Sequence, residues 1–112
     1  VVPYSGTYKI TASLQFFNTD NGQDDITIWF RKNGVDIPNS GSVFTIFSKG
    51  AGSAPGKLIA INPFTDGSAN AGDYYQVMWN AQSTTVSLQG IAAGTLPTRP
   101  VSPATIILVE KL

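Results

Sequence analysis

The chain alternates apolar and polar residues in short runs. Over residues 6–17, Tyr8, Ile10, Ala12, Leu14 and Phe16 fall on one face. Thr7, Lys9, Thr11, Ser13 and Gln15 fall on the other. Successive side chains of a strand point to opposite faces, so this pattern marks a half-buried β-strand. It returns over residues 26–32, with Ile26, Ile28 and Phe30 opposed to Trp29, and over residues 74–80. There Tyr75, Val77 and Trp79 oppose Tyr74, Gln76 and Met78. No stretch carries a capped helical stripe of period 3.6.

Turn residues divide these runs. Residues 20–24 form a turn, and Asn33-Gly34 between two alternating runs predicts a tight hairpin, because both turn positions need positive φ. Residues 35–37 return and end at Pro38. Further strands are expected over 43–48, 58–62 (stopped by Pro63), 84–89 and 104–112, and turns over 49–57 and 65–73. Residues 90–103 form a long connection. Ile106, Ile107, Leu108 and Val109 are apolar on both faces, which predicts a buried central strand or one covered by a partner. Seven or eight short strands predict an all-β antiparallel sandwich or jelly roll.

At 112 residues the chain is long enough for one domain with its own core. Seven basic and seven acidic residues cancel. A neutral surface gives no general attraction to phosphate backbones or anionic lipid, so nucleic-acid partners are not expected. No apolar run approaches the roughly 18–20 residues of a membrane span, so no membrane insertion is expected. The start, Val1-Val2-Pro3-Tyr4, lacks both an initiator Met and a basic-then-apolar leader. It reads as a module of a larger polypeptide. No Asn-x-Ser/Thr sequon occurs.

Cys and His are absent. That excludes disulfides, zinc fingers, and catalytic arrangements built on a His base. Six of the seven carboxylates are Asp, mostly in expected turns, where Asp bonds its own backbone. No paired-acid motif emerges, so no catalytic residue and no cofactor is assigned. Residues 49–57 (KGAGSAPGK) resemble a phosphate loop only superficially: Ala51 stands where the first Gly belongs, and Leu58 replaces the magnesium-binding Ser or Thr. Counted as an EF-hand from Asp20, the acidic loop has Asp25 at position six and Arg31 at position twelve, in place of Gly and Glu. Asp20, Asp24 and Asp25 are either a solvated turn or a looser cation or partner contact. Pro97, Pro100 and Pro103 recur at every third position and suit a stiff loop or a polyproline ligand. Trp29 and Tyr74 lie off the core faces and are candidates for a subunit or ligand contact.

Gly6-Thr7-Tyr8 after Pro3, Gly72-Asp73 leading into the strand at 74–79, and the apolar end Thr105-Ile106-Ile107-Leu108 together resemble the jelly-roll family of tumour-necrosis-factor domains and complement-type globular heads. The chain is more closely similar to the bacteriophage virion version of that domain. The likeness runs through residues 28–40 (IWFRKNGVDIPNS), through 71–79 (AGDYYQVMW), and through Arg99-Pro100-Val101-Ser102-Pro103. The resemblance implies a two-sheet jelly roll, trimeric about a threefold axis and non-enzymatic, serving as capsid decoration or fibre tip on the virion surface. Other virion proteins would be its neighbours, and the family's first strand is absent from the chain. It puts Tyr8, Ile10, Ala12, Leu14, Tyr75, Val77 and Trp79 in the core. Lys9, Thr11, Ser13 and Gln15, with Tyr74, Gln76 and Met78, would face neighbouring subunits in a polar contact. Two alternatives stand beside it. One is a module recognising a host-surface glycan through Trp29 and the Asp loop; the other is a cytokine-like secreted ligand.

Overall fold

The computed structural model describes residues 1–95 and 97–112. Among the described residues ten strands appear in chain order: β1 (Gly6–Asn18), β2 (Asp24–Lys32), β3 (Val35–Asp36), β4 (Ser42–Ile46), β5 (Gly56–Ala69), β6 (Tyr75–Ala81), β7 (Val86–Leu88), β8 (Gly94–Thr95), β9 (Thr98–Arg99) and β10 (Thr105–Lys111). A short 3-10 turn occupies Ala51–Ser53, and no α-helix occurs among the described residues.

Two four-stranded antiparallel sheets share one plan. Each has a long central strand, one long neighbour, and a second edge divided between two short strands. In the first sheet β1 pairs with β5 over nearly its whole length, while β10 and β7 follow one another along its other edge. In the second, β2 pairs with β6, while β4 and β3 share the opposite edge. The inward faces meet as a β-sandwich. Ile10, Ala12, Leu14 and Phe16 of β1 pack with Ile26, Ile28 and Phe30 of β2, joined by Ile46, Ala60 and Val86. Trp79 meets Phe16 edge-on with ring centroids 5.1 Å apart, and Phe64 stacks on Phe30 at 6.0 Å. The alternation read from β1, β2 and β6 is therefore the core pattern. The predicted hairpin is also present: Asn33 and Gly34 have φ of 52° and 81°.

Three expectations are corrected. Pro63 does not stop a strand, and residues 65–69, expected in a turn, continue β5. The Gln15 amide donates to the Ala104 carbonyl, so odd-numbered residues of β1 direct their backbone groups to the β10 edge. Thr11 is one of them, which makes its β5 partner Pro63 a non-hydrogen-bonded position. The proline nitrogen faces the free edge and removes no ladder bond. Thirdly, residues 106–109 are not central. Among the described residues β10 has a single neighbour, and Ile106, Ile107, Leu108 and Val109 remain 47–56% exposed. The second sheet does not extend over them.

The molecule is correspondingly extended. Its radius of gyration is 16.3 Å, against about 13 Å for a compact domain of this length. The proline-rich connection is an arm in which β8 pairs with β9, closed at its base by mutual backbone bonds between Ile91 and Ser102.

Candidate interaction surfaces

The outer face of the first sheet is a polar spine between aliphatic rails. Register places Ser13 between Ile61 and Ile106, Thr11 between Pro63 and Leu108, and Lys9 between Thr65 and Glu110. Ile59, Ile61, Ile106 and Leu108 are each more than half exposed. Read along β1 alone this face is polar; across three strands it is mixed, with exposed aliphatic residues on both sides of the polar row. A monomer seldom exposes a contiguous apolar patch beyond a few hundred Å², and larger ones mark contacts. Ile59 and Ile61 were not singled out from sequence, because only the register brings β5 and β10 onto one face.

Gln15 leaves this surface. Expected at a subunit contact, it is only 7% exposed. Its Nε2 donates to the Gln89 carbonyl at 2.8 Å, and its Oε1 accepts from Ser102 Oγ at 3.2 Å. Its backbone N–H donates to the Ala104 carbonyl, and its carbonyl accepts from the Gln89 amide. Gln15 therefore splices β7 and β10 onto the same edge of β1.

The other expected contact strand lies on the outer face of the second sheet, so the two sets do not form one patch. Met78 is opposite Trp29 and Gln76 opposite Arg31. The Trp29 indole donates to Asp36 Oδ1 at 2.9 Å, and Arg31 Nε donates to the same oxygen at 2.6 Å. These bonds from Arg31 and Trp29 hold the Asp36 carboxyl below its ordinary range. Trp29 is half-buried and its indole N–H is engaged by Asp36. Tyr74 is exposed and borders the Asn33-Gly34 turn, its amide bonded to Asn33 Oδ1 at 3.1 Å.

Of the three aspartates of the first turn, Asp20 and Asp24 lie side by side and Asp25 points away. Asp24 and Asp25 are consecutive strand residues and point to opposite faces. Asp25 accepts from Thr45 Oγ1 at 3.0 Å on the outer face. Asp24 is buried, with Oδ2 lacking a hydrogen-bond partner among the described residues. Burial and the neighbouring Asp20 push its carboxyl up. Buried Asn18 braces the turn, donating to the Gly22 and Phe47 carbonyls and accepting from the Asp20 amide and Thr85 Oγ1. No group of three or more acidic, His or Cys side chains is poised for a metal among the described residues.

A charged cluster that sequence reading missed ties the two sheets together at one end. Lys32 of β2 reaches Asp66 of β5 at 2.8 Å and Asp73 at 3.5 Å. The Tyr75 hydroxyl of β6 donates to the same oxygen of Asp66. Burial alone would raise the Asp66 carboxyl, but the bonds from Lys32 and Tyr75 outweigh it and bring it to about 2. Burial and Asp66 push the Tyr75 phenol up, so it stays protonated. The members are far apart in sequence, so no motif announces them. A shallow groove of about 510 Å³ lies beside this cluster, lined by residues 1–4, Tyr8, Tyr75, Val109 and Lys111.

No protein-family model, no curated protein and no solved structure matches the chain. Chemically, these faces offer contact surfaces: an aliphatic sheet face, an unpaired strand edge and a neutral exterior.

Proposed function

We infer that this chain is a non-enzymatic structural module that works by self-association and surface contact, of the kind found on bacteriophage virions. The observation that carries the reading is the exterior of the first sheet, where Ile59, Ile61, Ile106 and Leu108 stand exposed around Thr11 and Ser13. A surface of that character is stable in solution when another surface covers it. The two antiparallel sheets suit the jelly roll that the resemblance implies, and the neutral net charge puts no repulsion between copies. Capsid decoration or a fibre tip is the corresponding place, with other virion proteins as neighbours. The test is direct. Particles purified from the source are digested and analysed by mass spectrometry, and immunogold labelling locates the chain. Stoichiometric presence on the particle surface is expected; absence from particles overturns the reading.

A further inference from the structure

We propose that β10 is a self-pairing edge: two copies of this chain join antiparallel through Thr105–Lys111, extending the first sheet across a twofold axis. The proposal rests on the self-association reading and names its contact. It differs from the threefold arrangement that the resemblance implies.

The backbone shows which groups are free. The Ala104 carbonyl accepts from Gln15, and the Leu112 amide donates to the Thr7 carbonyl. Even-numbered residues of β10 therefore bond to β1, and by the alternation of an antiparallel ladder the odd-numbered ones face away. Thr105, Ile107, Val109 and Lys111 direct their N–H and C=O groups to the open side. Among the described residues nothing pairs with them.

Edge strands are ordinarily protected by charge, proline, bulges or cover. Among the described residues β10 has none of these over residues 105–109. Its register with β1 is unbroken, its only charges are Glu110 and Lys111 at one end, and four consecutive aliphatic residues stand roughly half exposed.

A second copy fits this edge in one full-length register. Centred on Leu108, the pairing sets Ile107 against the partner's Val109 and Thr105 against the partner's Lys111. Each is a hydrogen-bonded pair, and the four such pairs exchange about eight hydrogen bonds. On the outer face Leu108 meets the partner's Leu108, and Ile106 meets the stem of the partner's Glu110. No like charges oppose one another. Shifting the axis by one residue toward Val109 sets Lys111 against the partner's Ile107 and shortens the overlap; shifting it toward Ile107 brings in Pro103, which lacks an N–H. A twofold contact is also self-closing, so it ends at two copies rather than growing into a filament.

The test uses the 112-residue chain. Sedimentation velocity over a concentration series is expected to show a species of twice 11.9 kDa. Hydrogen exchange followed by NMR then reads the edge itself. Ile107 and Val109 amides are expected to be protected at high concentration and to exchange at least tenfold faster on dilution. Ile106 and Leu108 amides, bonded to β1, stay protected throughout. Ile107→Pro removes an outward N–H and is expected to weaken dimerisation at least tenfold while the fold remains; Ile107→Lys serves where the proline variant fails to fold. A trimer, or a dimer in which the Ile107 and Val109 amides exchange freely, overturns β10 pairing and leaves self-association standing. A monomer at every concentration overturns both.

Discussion

β2 and β10 are both rich in large apolar residues, yet one is the middle of the core and the other is exposed. β2 alternates, so Ile26, Ile28 and Phe30 point inward while Thr27, Trp29 and Arg31 face out. It has neighbours on both sides and a sheet across from it. β10 does not alternate, and among the described residues it has one neighbour. Its inward Ile107 and Val109 are nearly as exposed as its outward Ile106 and Leu108, because the second sheet stops short of them. Alternation thus marks a strand whose two environments are both supplied within the chain. An unbroken apolar run marks a strand needing apolar surroundings on both faces, and here the chain leaves both open.

The contrast sets a scale for substitutions. Phe30→Ala in β2 removes a fully buried ring and leaves a cavity, and is expected to destabilise the fold by about 3–5 kcal/mol in chemical denaturation. Leu108→Ala in β10, measured at concentrations where the chain is monomeric, is expected to cost below about 1 kcal/mol. Comparable losses at the two positions would break the distinction between core and edge.

The Lys32–Asp66–Tyr75 cluster joins β2 and β6 to β5 and predicts acid sensitivity. The folded Asp66 carboxyl titrates near 2, below its ordinary 3.8. A depressed carboxylate stabilises the fold above its ordinary pKa, and that stabilisation is lost as pH falls through the folded value. Melting temperature is expected to fall between about pH 4 and pH 2, with about 1–2 kcal/mol lost. Asp66→Asn should flatten that part of the profile; an unchanged profile would remove the cluster from the account.

Smaller effects belong to the hairpin turn and outer face of the second sheet. Gly34→Ala imposes a side chain at φ 81°, costing about 1 kcal/mol by thermal melts. Asp36→Ala, on the exposed outer face, should leave the melting temperature nearly unchanged because surface ion pairs contribute little. It should also free the Trp29 indole N–H, and a shift in Trp29 fluorescence on titrating polysaccharide would support the glycan reading over the structural one.

Much of this architecture is legible in local sequence. Alternation in β1, β2 and β6 identifies both central strands and the core faces, and Asn33-Gly34 identifies the hairpin. The misreadings arise where local signals depend on distant neighbours. Pro63 is a strand breaker unless its nitrogen faces a free edge, which only the β1–β5 register decides. Gln15 looks like a surface residue until β7 and β10 meet beside it. Residues 106–109 announce two apolar environments without saying whether the chain provides them. The outer face looked polar because β1 is its middle row, and Ile59 and Ile61 join it from a strand more than forty residues away.

The most direct measurement is sedimentation equilibrium of the wild-type chain beside a Leu108→Lys, Ile61→Lys double variant, which charges both rails of the outer face. The account predicts that the wild type assembles to an integer multiple of 11.9 kDa, while the double variant stays folded and sediments at 11.9 kDa. A wild type that remains at 11.9 kDa at every concentration, or a double variant that assembles as tightly as the wild type, would contradict it.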